Sequence, residues 1–389
     1  MKIMHLCLAN YYIDGYGYQE NLITRMHKLL GYDVRIVAST ETYINNVSLG
    51  YVEPRNYMTE DGIPIHRIPY KHGIPTKLVH KIRLYEGLTN ELNEFQPDII
   101  FMHDMQFLSV KEVANYLDKH KNVKLFVDSH TDYRNSAKTF LSKYFLHKII
   151  YQHCANIIEP YTIKFYGTLP SRVDFYTNFY GLSKEKTEFL PMGADDECVK
   201  LAKETNQRQL IRTKYGIKDD EFLVISGGKF NERKREILNA MKAVSSINKS
   251  KKIKMLIFGS IQGDEFVKEF NALCDGKAIT HTGWIKGNES YNYYEAADLV
   301  VFPGLHSVLW EQAVGQGKPC IFKYMEGFTH VDLGGNCEFL HQSTVEEIES
   351  TINKCMDNYP HMLEVAKEKG MLRFSYYKIA EMAIAPATS

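Results

Sequence analysis

Short apolar segments alternate with helical patterns from one end of the chain to the other. Segments without polar alternation are typical of strands buried on both faces. With helices between them, they predict parallel sheets covered on both sides. The first series of predicted strands comprises residues 2–9, 33–39, 98–103, 124–130 and 155–160, and the second comprises residues 221–228, 252–260, 277–284, 297–304 and 318–324.

The length and the junction between the two series predict two domains. A chain of 389 residues is too long for one ordinary core. Amphipathic patterns over Gln19–Leu30 and Arg235–Ile247 supply a helix in each series. The polar segment 194–210 separates the series. We therefore expect an α/β protein with two Rossmann-like, doubly wound parallel-sheet domains facing a cleft, where ligands meet the carboxyl ends of the strands.

Composition excludes several classes of protein. The chain has 47 Lys+Arg and 47 Asp+Glu, so bulk charge does not favour nucleic acid as a partner. Its seven cysteines are scattered without a C-x-x-C pair, which signals neither a zinc site nor a disulfide framework. No apolar run reaches eighteen residues. These features predict a cytoplasmic globular protein.

Two candidate sites lie in the first series. The loop after the first strand contains Gly15 and Gly17, which would let the backbone approach a phosphate or sugar, or serve only as turn residues. His130 ends the strand 124–130 beside acidic residues, where a histidine can face a ligand. The dipeptide His103-Asp104, at the end of the preceding strand, competes for that role.

A glycine and lysine segment follows the first strand of the second series. Gly228 permits close backbone approach, and Lys229 and Lys234 could place two cations on a diphosphate. The alternative is a solvated basic turn at the start of a helix. Cations are unfavourable at a helix N-terminus, which favours an anion between them.

The fourth candidate site follows the strand 297–304. Ser307 is a plausible N-cap, and the N–H groups of Val308 and Leu309 would then face an anion. Glu311, one turn later, lies in an apolar run and could bind the vicinal hydroxyls of a ribose. The alternative is a first-turn glutamate that only favours the helix dipole.

These sites, in this order, resemble the retaining GT-B glycosyltransferases, of the family 4-like bacterial polysaccharide and lipid-sugar type. The similarity covers nearly the whole chain and rests on five segments in order. They are F-L-P-M-G-A-D, G-G-K-F-N-E-R-K, I-T-H-T-G-W-I, Y-Y-E-A-A-D-L-V-V-F-P and W-E-Q-A-V-G-Q-G-K-P-C-I.

The resemblance implies a nucleotide-diphospho-sugar donor, such as a UDP- or GDP-sugar, as co-substrate without a cofactor. Lys229 and Lys234 would bind and stabilise the leaving diphosphate, and Glu311 would bind the ribose. Gly17, in the loop with Gly15, would lie near the phosphates, and His130 beside the transferred sugar. It also implies an acceptor domain over residues 1–200, a donor domain over 201–370 and a helix over 371–389 that crosses back.

One position departs from the family pattern. The family's first glutamate would fall at Pro303, so His306 or Ser307 must contact the donor sugar instead, or the contact is missing. No D-x-D motif stands at a strand end, which predicts a metal-independent transfer. The resemblance implies retention of anomeric configuration. Two rivals stay open: a nucleotide-sugar epimerase of the same fold, and a catalytically inactive nucleotide-sugar-binding scaffold.

The acceptor is expected on the first domain, as a glycan or a lipid-linked sugar. Segments Lys71–Tyr85 and Lys143–Tyr151 mix cations with apolar residues, as segments that lie on anionic lipid do. They predict a peripheral attachment to the inner membrane face. The alternative is a pair of ordinary amphipathic helices packed on a core.

Overall fold

The computed structural model describes residues 1–44, 48–132 and 141–388. The contacts group the chain into two compact units, Met1–Pro191 with Ile379–Ser389, and Met192–Lys378. Each unit contains a predominantly parallel sheet with helices between its strands. The predicted fold class is therefore confirmed.

The first unit is built on an eight-stranded sheet and a two-stranded hairpin. Its strands are β1 (Lys2–Cys7), β2 (Asp33–Ser39), β3 (Glu41–Ile44), β4 (Ser48–Tyr51), β5 (Arg55–Met58), β6 (Pro64–Ile68), β7 (Ile99–His103), β8 (Lys124–Ser129), β9 (Thr162–Gly167) and β10 (Thr187–Phe189). The order across the large sheet is β10-β9-β8-β7-β1-β2-β6-β5, and only β5 runs antiparallel to its neighbour. The polar end of β7 therefore lies between the ends of β1 and β8.

Helices connect these strands. They are α1 (Gln19–Leu29), α2 (Thr76–Ile82), α3 (Leu88–Phe95), α4 (Val110–Lys119), α5 (Gln152–Ile158) and α6 (Pro170–Asp174), with π-helical segments at Leu141–Tyr151 and Phe175–Phe179. The predicted strand 155–160 is wrong, because Ala155 to Ile158 belong to α5 and the strand follows at β9. Cys154, Ala155 and Ile158 are buried at helical spacing. A short apolar run does not distinguish a buried strand from a buried helix.

The second unit is built on a six-stranded parallel sheet in the order β13-β12-β11-β14-β15-β16. Its strands are β11 (Phe222–Phe230), β12 (Ile253–Ile261), β13 (Ile279–Gly283), β14 (Leu299–Phe302), β15 (Cys320–Lys323) and β16 (Cys337–Leu340). Its helices are α7 (Asp196–Glu204), α8 (Gln207–Lys214), α9 (Glu236–Ile247), α10 (Asp264–Leu273), α11 (Ser290–Ala296), α12 (Leu309–Gly315), α13 (Val345–Asp357) and α14 (Tyr359–Phe374). Three-residue 3₁₀ turns occur at Glu232–Lys234, Gly287–Glu289 and Thr329–Val331.

The last helix, α15 (Tyr376–Thr388), begins in the second unit and ends in the first. The contacts divide the chain after Pro191, whereas the sequence predicts a first domain that ends at 200. Residues 192–200 join the second unit because the backbone of Ala194 bonds to that of Phe374 (2.7 Å) and Tyr376 (3.1 Å). The Asp195 side chain caps α7 in the same region.

Candidate functional site

Two glycines pair with each other near the carboxyl ends of β11 and β12. Strand β11 runs through Phe230, so Gly227 and Gly228 lie within it rather than after it. Gly228 pairs with Gly259 of β12. A Cβ placed on Gly259 would lie 1.8 Å from the Gly228 carbonyl oxygen, and Gly259 has φ +119°. Only glycine fits at Gly259, so this sheet edge presents bare backbone beside the 3₁₀ turn Glu232–Lys234.

Lys234 lies over this glycine segment. A Cβ placed on Gly228 would be 3.9 Å from the Lys234 ammonium nitrogen. Burial lowers the pKa of Lys234, while Glu236 raises it. A partly desolvated ammonium group above bare backbone is suited to an anionic ligand.

A small pocket adjoins Lys234. Its lining includes the ends of β11 and β14 and the loop after β14, contributed by Ser226, Gly227, Phe230, Lys234, Ile237, Phe302, Pro303, Gly304, Leu305 and Ser307. The structure therefore brings together the predicted residues Lys234 and Ser307, with Gly228 directly beneath the Lys234 ammonium. Lys229 is exposed and is not among the residues that line the pocket.

Glu311 is completely buried and accepts two hydrogen bonds from histidines. His306 Nε2 and His330 Nε2 each lie 2.8 Å from Glu311 Oε1. Glu311 Oε2 is also buried and has no hydrogen-bond partner within residues 1–44, 48–132 and 141–388. One carboxylate oxygen therefore fixes the two histidines and the other is left for a further donor.

The two histidines keep Glu311 ionised. Burial alone would raise the pKa of this carboxyl, but the charge and hydrogen bonds of His306 and His330 outweigh it and lower the pKa to about 2. The His306 ring also packs on Trp310 and Phe328, at centroid distances of 5.0 and 5.1 Å. The orientation of the Glu311 carboxylate is therefore fixed by packing as well as by hydrogen bonds.

The predicted N-cap at Ser307 is wrong. Helix α12 has seven residues from Leu309, its N-cap is Val308, and no side chain caps it. Ser307 instead accepts a bond from Trp310 N through its own carbonyl oxygen, at 3.0 Å. The chain turns one residue later than the side-chain pattern suggests, and the Ser307 side chain lines the pocket.

The cluster of His306, Glu311 and His330 could also hold a metal ion. Its three potential ligand atoms lie within 4.8 Å of one another. Among the described residues, it is the group of His, Cys, Asp or Glu side chains that is close enough together to hold a metal ion. Two histidines and a carboxylate suit a divalent transition metal. The two N···O distances of 2.8 Å are equally those of ordinary hydrogen bonds.

The candidate residues of the first unit lie near the ends of β1 and β8. Gly15 has φ +73°, and a Cβ on Gly15 or Gly17 would meet no atom within 4 Å. His130 Nε2 lies 3.8 Å from Glu20 Oε1 and 4.0 Å from Asp128 Oδ2. The loop is thus open, and His130 faces two carboxylates.

The competing pair His103-Asp104 is fully buried. Asp104 Oδ2 accepts hydrogen bonds from the hydroxyls of Ser129 (3.1 Å) and Thr131 (2.8 Å). His103 Nδ1 lies 3.1 Å from Asp128 Oδ2. The pair is engaged inside the unit, which leaves His130 as the more accessible candidate.

Sequence reasoning missed two residues of the second-unit site. His330 lies 19 positions after Glu311 in a loop, and no spacing rule connects the two. Glu236 follows Lys234 and lies 3.2 Å from the Cβ position of Gly304. Its Oε2 is buried without a hydrogen-bond partner among the described residues. The sequence signal for Glu236 was its position two residues after Lys234.

Comparisons with known proteins identify the fold. Residues 207–371 match the family model of glycosyl transferases group 1. The structure of Anabaena Alr3699/HepE in complex with UDP is 14% identical, covers 100% of both chains and has a TM-score of 0.69. Sucrose-phosphate synthase from Thermosynechococcus elongatus is 15% identical over 100% of this chain and 98% of its own, with a TM-score of 0.64. WaaG, a glycosyltransferase involved in lipopolysaccharide biosynthesis, is 16% identical over 100% of both chains, with a TM-score of 0.60. No curated protein sequence matches the chain.

The resemblance to GT-B glycosyltransferases is thereby confirmed. The chain has the GT-B fold, and most of its second unit matches the group 1 family model. The retaining mechanism and the family 4-like type stay predictions.

Proposed function

We propose that the protein transfers a sugar from a nucleotide-diphospho-sugar to a glycan or lipid-linked acceptor, with retention of anomeric configuration. The observation that carries the proposal is the pocket at the ends of β11 and β14. There a partly buried lysine lies above glycine backbone and next to the loop that leads to a buried, ionised Glu311. The structure of Alr3699/HepE was solved in complex with UDP, which supports a donor that carries uridine diphosphate.

Each residue has a role in this proposal. Lys234 neutralises the negative charge that develops on the leaving diphosphate, aided by the exposed Lys229. The unpartnered Oε2 of Glu311 accepts a hydrogen bond from a ribose hydroxyl. Ser307 and His306 contact the donor sugar in place of the family's first glutamate, whose position here is occupied by Pro303. In this proposal His130 contacts the transferred sugar.

The test is nucleotide binding by Lys234→Ala. We expect the wild-type protein to bind UDP or GDP, and the variant to bind it roughly tenfold or more weakly, because a charge-assisted phosphate contact contributes about 1.5 kcal/mol or more. Isothermal titration with UDP, GDP and ADP measures this directly.

The matched control is Lys249→Ala, which removes the same charge from an exposed position in the same unit. It should bind as the wild type does. Equal affinities for Lys234→Ala and Lys249→Ala would remove Lys234 from the site. Nucleotide binding without any turnover of donor would favour the scaffold, and an altered free sugar formed without acceptor would favour the epimerase. Absence of nucleotide binding by the wild type would contradict the proposal.

We further propose that the transfer needs no metal ion or other cofactor. The His306, Glu311 and His330 cluster makes this worth measuring, because its atoms could bind a cation. Turnover of donor should be unchanged after dialysis against a chelator. Loss of turnover that zinc or manganese restores would contradict the proposal.

A surface of the first unit supports peripheral attachment to a membrane. Phe145 and Ile149 are each 58% exposed in the π-helical segment Leu141–Tyr151. Tyr151 of this segment donates a hydrogen bond to the Lys81 carbonyl of α2 (2.7 Å), where Leu78 is exposed as well. No described helix is long and apolar enough to cross a bilayer. Exposed apolar side chains beside lysines favour the interface of an anionic bilayer.

We expect the double variant Phe145→Ser, Ile149→Ser to lose binding to vesicles that contain phosphatidylglycerol. Two apolar side chains leave the lipid interface, so the bound fraction should fall roughly tenfold or more. Flotation of protein with vesicles measures it. Leu210→Ser, at an exposed leucine of the second unit, is the control and should float as the wild type does. Equal flotation of both variants and the wild type would contradict the attachment.

A further inference from the structure

A row of three histidines crosses the interior of the first unit. His27 Nε2 lies 2.9 Å from the Ala380 carbonyl oxygen, and His27 Nδ1 lies 3.0 Å from His5 Nε2. His5 Nδ1 lies 3.0 Å from His103 Nε2, and His103 Nδ1 lies 3.1 Å from Asp128 Oδ2. All three histidines and Asp128 are completely buried. Both ring nitrogens of every histidine are thus used in hydrogen bonds.

The row requires one proton more than three neutral histidines supply. It contains four hydrogen bonds, and each needs its own proton. A carbonyl oxygen at one end and a carboxylate at the other can only accept. A neutral imidazole carries one N–H, so three neutral rings leave one of these hydrogen bonds without a proton. The fourth makes one histidine an imidazolium or leaves Asp128 protonated.

The surroundings place this proton on His103. Burial lowers the pKa of His5 and of His27, and neighbouring histidines lower both further. Burial also opposes a charge on His103, but Asp128 and Glu20 outweigh it and raise its pKa. The pKa of Asp128 is lowered in spite of its burial, because His103 and His130 are near and Gln19 donates to it. The titratable groups that face the pair are Glu20 of α1, His130 after β8, Cys7 of β1 and Tyr176.

We propose that His103 is an imidazolium at neutral pH and is a positioning residue for His130. It keeps the Asp128 carboxylate ionised and fixed between the row and the His130 ring, whose Nε2 lies 4.0 Å from Asp128 Oδ2. The charge of His103 does not reach a ligand itself, because the ring is completely buried. Only the catalytic role of His130 rests on the proposed function, and the charge of His103 does not.

The protonation state is tested by nitrogen-15 NMR of histidine-labelled protein at pH 7.5. We expect one buried ring with both nitrogens protonated, assigned to His103 with His103→Gln, and two rings protonated on Nε2 only. In Asp128→Asn the amide can donate to His103 Nδ1, so the row needs no extra proton and the imidazolium signal should disappear. Three neutral rings in the wild type, or a charge on His5 or His27, would overturn the proposal even if the variant does not fold.

The positioning role is tested by kinetics of Asp128→Asn. We expect kcat to fall roughly tenfold or more and its pH profile to change, while the Kd for UDP, which is proposed to bind the second unit, stays within about twofold. Loss of the imidazolium signal with an unchanged kcat would overturn the role. A wild type without transferase activity would remove the proposed function, and the NMR result would still decide the charge of His103.

Discussion

Replacing Glu311 with alanine is expected to lower the free energy of unfolding by about 3 to 5 kcal/mol. The change removes the shared acceptor of His306 and His330, both of which donate at 2.8 Å inside the second unit. Two largely buried N–H donors would lose this acceptor, and breaking a buried charged pair from one side has a cost of this size. Urea unfolding followed by tryptophan fluorescence and circular dichroism measures the loss.

Two variants test which property of Glu311 is responsible for the loss of stability. Glu311→Gln removes only the charge, and Glu326→Ala shows the effect of removing a glutamate elsewhere in the unit. Glu311→Gln keeps an acceptor oxygen and should lose less stability than alanine, but should bind UDP about 10- to 100-fold more weakly if the charged oxygen holds the ribose. Glu326→Ala, at an exposed position in the same unit, should match the wild type within about 0.5 kcal/mol. A stable Glu311→Ala protein with wild-type nucleotide affinity would contradict both roles.

The same carboxylate gives the protein a defined sensitivity to acid. The pKa of Glu311 is lowered from 4.5 to about 2 in the folded protein. Its stabilising contribution is therefore complete above pH 4.5 and is lost as the pH falls through about 2, an effect on the order of 3 kcal/mol. Unfolding free energies measured between pH 6 and 2 should fall more steeply for the wild type than for Glu311→Gln. Parallel curves would contradict this assignment.

Replacing Asp298 with alanine is the second change with a large expected effect. Asp298 precedes β14 and accepts bonds from Arg208 Nη2 (2.7 Å), Arg212 Nη1 (3.2 Å) and the backbone of Leu223 (2.8 Å). Arg212 is 1% exposed, so its charge would stay buried without a carboxylate. We expect the second unit to lose about 3 to 5 kcal/mol of stability, measured by urea unfolding.

The control for Asp298 is a carboxylate in an exposed ion pair of the same unit. Asp357 lies 3.8 Å from Lys251 at the surface, and Asp357→Ala should change stability by about 0.5 kcal/mol or less. Equal, small effects of both substitutions would show that Arg212 finds another partner. Because Asp298 lies at the opposite end of β14 from the pocket, nucleotide affinity measured on the folded protein should be unchanged.

The sequence was sufficient for the sheets because buried parallel strands leave a continuous apolar signal. It failed at 155–160, where α5 is as apolar as a strand and only the chain's packing distinguishes the two. In the site, Lys234, Ser307 and Glu311 follow strand ends, and that position is readable from the pattern. The contact of Glu311 with His330 could not be predicted from the sequence pattern, because it depends on how the loop after β15 folds back.

Histidines inside strands show the same limit more sharply. His5 lies in an apolar run that predicts only a strand, and His27 lies on a helix pattern. The sequence predicts His103 as a candidate for contact with a ligand, not with another histidine. No local rule predicts that β1, α1 and β7 place these three rings in one row. A buried polar residue in an apolar run indicates that a partner exists, and the fold alone identifies it.

The grouping of Ile379–Ser389 with Met1–Pro191 has a consequence for synthesis on the ribosome. Ile379, Ala383 and Ile384 are buried, and Ala380 accepts the bond from His27. The first half of the chain therefore emerges without a segment that packs into its core, and that segment is translated after the second unit. Met192–Lys378 is continuous and can complete its fold earlier. A nascent chain stalled near residue 378 should hold a finished second unit and an N-terminal half that chaperones still recognise.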